Sequence, residues 1–131
     1  MLADILVVDH QPGARAVLRA ILETRGFHVR EATGGVEALS EIARRAYTLV
    51  ITEMCMPELD GIELLLHART LRPEQKIVTI CGSEQFPSAV LLRDSELLGA
   101  AGVLSRPFEP EALLELVHQA LGTPPPASTL P

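Results

Sequence analysis

The stretch Leu49-Val50-Ile51-Thr52-Glu53-Met54-Cys55-Met56-Pro57-Glu58-Leu59-Asp60-Gly61 decides the fold. It opens on a short apolar, β-branched run and passes through a loop that carries acids and a proline. Beyond Asp60-Gly61, Ile62, Leu65, Leu66 and Arg69 follow at helical spacing, and Pro73 ends that helix. A continuous apolar run of this length fits a strand buried on both faces, as in a parallel sheet.

The same alternation repeats in both directions. Ile5-Leu6-Val7-Val8 and Ile77-Val78-Thr79-Ile80 are further apolar runs, and Ala101-Gly102-Val103-Leu104 is a weaker one. Phe27-His28-Val29-Arg30 alternates, so it reads as an edge strand with one wet face. Between the runs lie helical patterns. Ala14, Val17, Leu18, Ile21 and Leu22 form the first stripe, stopped by Gly26, and Val36, Leu39, Ile42 and Ala43 form the second. A fourth helix falls between Pro87 and Leu98, and a fifth runs from Pro110 to Gly122. Five strand–helix repeats predict an α/β fold, a flavodoxin-like doubly wound (βα)5 sandwich. Right-handed crossovers and an edge second strand give a five-stranded parallel sheet of order 2-1-3-4-5.

The chain has 131 residues, of which 47% are apolar and 21% charged, which fits one globular domain. We place that domain at residues 1–121 and a proline-rich tail at 122–131. Eleven basic against seventeen acidic residues leave a net charge of −6, which argues against direct nucleic-acid binding. No apolar run is long enough to cross a membrane. Asp4 stands where a secretory signal would carry Lys or Arg, and Cys55 and Cys81 are too few for a disulfide framework. A cytoplasmic domain is expected.

In open α/β sheets, ligands gather outside the carboxyl ends of the strands. Strand one delivers Asp9 and His10 there, and strand three delivers Glu53 followed by Cys55. Strand four delivers Cys81, and strand five delivers Ser105 and Arg106. Two carboxylates, an imidazole, a thiol and a guanidinium thus converge on one crevice. Asp9, the Thr52–Gly61 segment with its Met-Pro-x-x-Asp-Gly ending, and Arg106-Pro107-Phe108 together resemble the receiver domain of bacterial two-component response regulators. The resemblance covers about residues 3–121.

It implies a phosphoryl acceptor at position 53, with Asp9 and His10 as the acidic-pocket equivalents and the Cys55 carbonyl as a backbone metal ligand. Cys81, Val103 and Arg106 take the switch positions. The chain departs from the family at most of them. Glu53 replaces aspartate, and one extra methylene moves the carboxylate by about an ångström where in-line geometry matters. His10 replaces an acid, and imidazole is a poor ligand for Mg²⁺. Cys81 replaces a hydroxyl residue with a weak donor, Arg106 replaces lysine, and Val103 has no aromatic ring to turn. We therefore expect no cofactor, with Mg²⁺ held at most weakly through Asp9.

The expected function is an atypical receiver that acts as a protein-interaction module in a two-component phosphorelay pathway and is not an enzyme. Its partners would be a histidine kinase or a downstream regulator. Glu53 and Arg106 could meet directly, with fork geometry that only arginine offers. The alternative is a conventional phosphorylatable receiver. A second alternative is a metal or redox sensor built on His10, Cys55 and Cys81. Leu114, His118 and Leu121 form an extra stripe on the fifth helix. The stripe implies either a homodimer face with the fourth helix and fifth strand or deeper burial, in a chain poor in aromatics.

Overall fold

The computed structural model describes residues 4–82, 97 and 99–122. The proline-rich tail beyond Gly122 and nearly all of the expected fourth helix lie outside the described residues. The described strands are β1 (Asp4–Val8), β2 (His28–Ala32), β3 (Leu49–Glu53), β4 (Ile77–Cys81) and β5 (Gly102–Ser105). They pair in parallel in the order β2-β1-β3-β4-β5, as the sequence predicts. Helices α1 (Pro12–Glu23), α2 (Gly35–Arg44) and α3 (Gly61–Leu71) follow the first three strands, and a C-terminal helix spans Pro110–Leu121.

Strand side chains alternate between two apolar layers. Ile5, Val7, Ile51, Val78 and Ile80 meet α1 and the C-terminal helix through Leu18, Leu22, Leu113 and Val117. Leu6, Val8, Val50 and Ile77 meet α2 and α3 through Ala38, Ile42, Leu64 and Leu65. Both faces of the sheet are dry, which is why the central strands read as unbroken apolar runs. β2 is an edge strand: His28 and Arg30 are exposed, whereas Val29 packs into the first layer and Ala32 into the second.

The helix faces differ from the expected stripes. Val17, Val36 and Leu66 are 58%, 59% and 50% exposed. In α2 the buried line is Gly35, Ala38 and Ile42, and a Cβ at Gly35 would lie 2.6 Å from Leu59. The loop that leads into α3 approaches α2 too closely for a valine there, so small residues face inward and Val36 turns outward. In α3 the buried set is Leu64, Leu65 and Ala68, one step round from the predicted line.

The extra stripe on the C-terminal helix also needs correcting as an exposed face. Leu114 is buried in the core, Leu121 packs against that core, and the His118 ring lies 6.0 Å from that of Phe27. Deeper burial, rather than a free apolar surface, accounts for these residues.

Candidate functional site

Asp9 directly follows β1, and Glu53 ends β3. Parallel pairing of these neighbouring strands brings the two acids to one edge of the sheet. Both are deeply covered, with Asp9 2% and Glu53 6% exposed. Arg106 follows β5, and its backbone N–H donates to the Cys81 carbonyl at 2.8 Å. This hydrogen bond extends the β4–β5 pairing and anchors the base of the arginine.

The guanidinium then bridges both acids. Arg106 Nη1 donates to Glu53 Oε2, and Nη2 donates to Asp9 Oδ2 at 3.3 Å. The expected Glu53–Arg106 contact is therefore present, but the fork does not close on one carboxylate. It gives one N–H to each of two. The Arg106 side chain stays 32% exposed, so the guanidinium closes the crevice from its open side.

Further groups fix Asp9. The Gln11 backbone N–H donates to Asp9 Oδ1 at 2.9 Å. Arg15 Nη1 donates to the Asp9 carbonyl at 2.7 Å, and Arg15 Nε donates to Glu31 Oε1 at 3.0 Å. Sequence reasoning missed Arg15. A signal was available, because helical side chains lean toward the N-terminus and Arg15 lies in the first turns after the β1 loop.

The remaining predicted residues are less engaged. His10 is exposed, with Nδ1 3.7 Å from Asp9 Oδ1. Val103 lies half-buried in β5. Asp60 caps α3: its carboxylate accepts from the Glu63 N–H at 2.9 Å, and Glu63 returns the bond. Gly61, the last residue of the motif, donates from its N–H to the Met54 carbonyl at 2.8 Å and ties the loop after Glu53 to the start of α3.

Cys81 is fully buried and Cys55 half-buried, and both are free thiols. Burial pushes the Cys81 thiol up to about 11, and the Glu53 carboxylate adds to the rise. Burial also raises Cys55. Nucleophilic attack needs the thiolate, which for Cys81 becomes abundant only as the pH climbs toward that value. We expect Cys81 to resist a disulfide-exchange reagent at pH 8 in the folded protein and to react fully once urea unfolds it. This behaviour is the opposite of what a redox-sensing thiol requires.

Asp9 and Glu53 are the carboxylates that the described residues bring to this crevice. Each already accepts from Arg106, and among the described residues no group of three or more His, Cys, Asp or Glu is placed to hold a metal. Nor, among the described residues, is any helix long and apolar enough to cross a membrane.

Residues 5–118 match the response regulator receiver domain. The chain is 33% identical over 117 residues to the response regulator receiver protein CpdR of Brucella abortus, spanning 89% of this chain and 95% of that one. The solved receiver domain of NtrX from Brucella abortus superposes with a TM-score of 0.85 at 30% identity, covering 92% of this chain and 100% of that one. A CheY-like receiver protein from Methanospirillum hungatei gives 0.83 at 30% identity, over 93% and 95% of the two chains. Strand order agrees with this match, and the chain belongs to the response regulator receiver domains, the signalling modules of two-component systems.

Proposed function

We propose that this receiver works as a protein-interaction module whose docking state is set by an internal ion pair, without phosphorylation in the usual way. The observation that carries this reading is the Arg106 guanidinium spanning Glu53 and Asp9. A carboxylate that attacks phosphorus needs a free oxygen in line with the leaving group and a cation to neutralise the phosphoryl oxygens. Here Glu53 is buried, its Oε2 is held by arginine, and its longer side chain displaces the carboxylate from the family's aspartate position.

The groups that would report a phosphoryl group are altered as well. Cys81 presents a buried, protonated thiol in place of a hydroxyl, and Val103 has no ring to reorient. A guanidinium that bridges β1 and β3 from the end of β5 links the same elements that a phosphoryl-bound lysine would link. An ordinary receiver divides between two populations, and a permanent pair biases that division without a covalent signal. The partners that suit this reading are proteins of the signalling pathway, a histidine kinase or a downstream regulator.

The test is direct. The whole chain is incubated with Mg²⁺ and acetyl phosphate, and its intact mass is measured. We expect the mass to stay unchanged. One stoichiometric phosphoryl group on Glu53 would overturn the reading and make this a conventional receiver. Asp60 is a poor substitute acceptor, because its carboxylate caps α3.

A further inference from the structure

The crevice occupies the carboxyl edge of the sheet, and the opposite edge carries charge of the other sign. There α2 and α3 end, and β1, β3 and β4 begin. Six of the chain's eleven cations gather on that side. They are Arg30 of β2, Arg44 and Arg45 at the end of α2, Arg69 and Arg72 at the end of α3, and Lys76 before β4. A run of contacts holds them on one continuous surface. Arg72 Nε donates to the Ile42 carbonyl at 3.0 Å, which joins the ends of α2 and α3. Glu41 lies 3.0 Å from Arg44 and 4.0 Å from Arg30, and it accepts from the Tyr47 hydroxyl at 2.5 Å. The Arg45 guanidinium stacks 4.6 Å from the centre of the Tyr47 ring and pairs with Asp4. The Gln75 side-chain amide donates to the carbonyls of Tyr47 and Lys76, and Arg69 donates to the Gln75 carbonyl at 3.2 Å.

Counter-charge is short on this surface. Among the described residues its carboxylates are Asp4, Glu41 and Glu74, three against six, in a chain whose acids outnumber its bases by seventeen to eleven. Glu41 is shared by two arginines, and Asp4 also meets His28 Nδ1 at 2.9 Å. Arg30, Arg44 and Lys76 are exposed, so their charge faces solvent. Leu71, in the last turn of α3, is 48% exposed and adds an apolar group to the patch.

We infer that the ends of α2 and α3 form a docking surface for an acidic protein segment that carries an apolar side chain. Guanidinium forks match carboxylates in geometry as well as charge. A basic patch on an otherwise acidic protein also orients such a partner as it approaches. A nucleic acid suits the surface less well, because a long polyanion runs past the patch onto the rest of the chain, where acids are in excess. The surface lies at the opposite edge of the sheet from Glu53, so the inference holds whether or not that residue takes a phosphoryl group.

The probe is a fluorescent peptide of eight glutamates around one leucine, titrated into the whole chain. The salt is kept at about 0.1 M, where surface charges are felt over about 10 Å. Anisotropy should show saturable binding. In amide NMR spectra the signals of Arg44, Arg45, Leu71, Arg72 and Lys76 should move, and those of Asp9, Glu53 and Arg106 should stay in place. This map on the native chain tests the site without any variant. Arg44→Glu combined with Lys76→Glu, both at exposed positions, should weaken binding at least about tenfold. Arg25→Glu, a charge reversal in the exposed turn after α1, is the control and should change it less than about twofold.

No binding, binding that moves signals elsewhere, or equal affinity in the double reversal would overturn the inference. An oligothymidylate of equal charge that moves the same signals and binds more tightly than the peptide would overturn it too, making the patch a nucleic-acid surface. So would self-association that moves these signals without peptide, which would make a second copy the occupant.

Discussion

Arg106→Ala is expected to lower the stability of the domain by about 3 kcal/mol, read as a shift in the urea midpoint at unchanged slope. The magnitude follows from what stays behind. Asp9 and Glu53 sit at the carboxyl ends of adjacent strands, and both are almost wholly buried. Breaking a buried pair costs more than the pair contributes, because the surviving charge keeps its desolvation cost and loses its partner. Two charges survive here, and they repel one another. The effect stays at the lower end of the usual range because the Arg106 side chain is a third exposed and water can enter the space it leaves.

The companion variants give this prediction its edge. Glu53→Gln should cost less, since Arg106 keeps its bond to Asp9 and the amide can still accept from the guanidinium. In the double variant the losses should fall short of additive by about 1 kcal/mol or more, the mark of groups that act as a unit. Additive losses would mean that arginine and glutamate are neighbours without energetic coupling. The bridge would then be no basis for a fixed docking state.

Much of this arrangement was legible in the chain. Unbroken apolar runs announced strands covered on both sides, and the alternating segment near Phe27 announced the edge. Together with right-handed crossovers, those two observations were enough to order the sheet as 2-1-3-4-5. The end of each strand then located Asp9, Glu53, Cys81 and Arg106 at one crevice without any knowledge of distances. Less legible was the rotation of each helix. Hydropathy favours the larger residue, yet Gly35 and Ala38 face inward where Val36 cannot, because close approach to Leu59 selects for size before apolarity. The same limit misplaced the stripe on the C-terminal helix. A surplus of leucines has no direction until the neighbouring helix is known, and Leu114 proved to belong to the core.

The partners of Arg106 were only half legible. Glu53 could be paired with it by charge and length, but Asp9 is held from three directions, by Gln11, Arg15 and Arg106. Such convergence depends on strand spacing and on side chains leaning back along α1, and no single sequence interval encodes it. Long-range charge pairing is where a sequence reading first loses resolution.

Gly61→Ala is the second large effect, and here the sequence motif acquires a physical reason. A Cβ at this position would lie 2.8 Å from the Glu53 carbonyl oxygen and 2.8 Å from the Met54 Cα. Both are backbone atoms at the end of β3, so no side chain can swing aside to make room. Either α3 retreats or the strand end moves, and overpacking of this kind costs about 2–3 kcal/mol. If the strand end moves, Glu53 moves with it, and the Arg106 side-chain NMR signals should shift even though residue 61 does not touch the guanidinium. Gly13→Ala supplies the control of opposite sign. Nothing lies within 4 Å of its prospective Cβ, and it sits in the first turn of α1. Removing a glycine from a helix there should stabilise the domain by about 0.5 kcal/mol and leave the Arg106 signals in place. Should Gly61→Ala prove neutral, the tight seam between β3 and α3 would not be what positions Glu53 beneath the guanidinium.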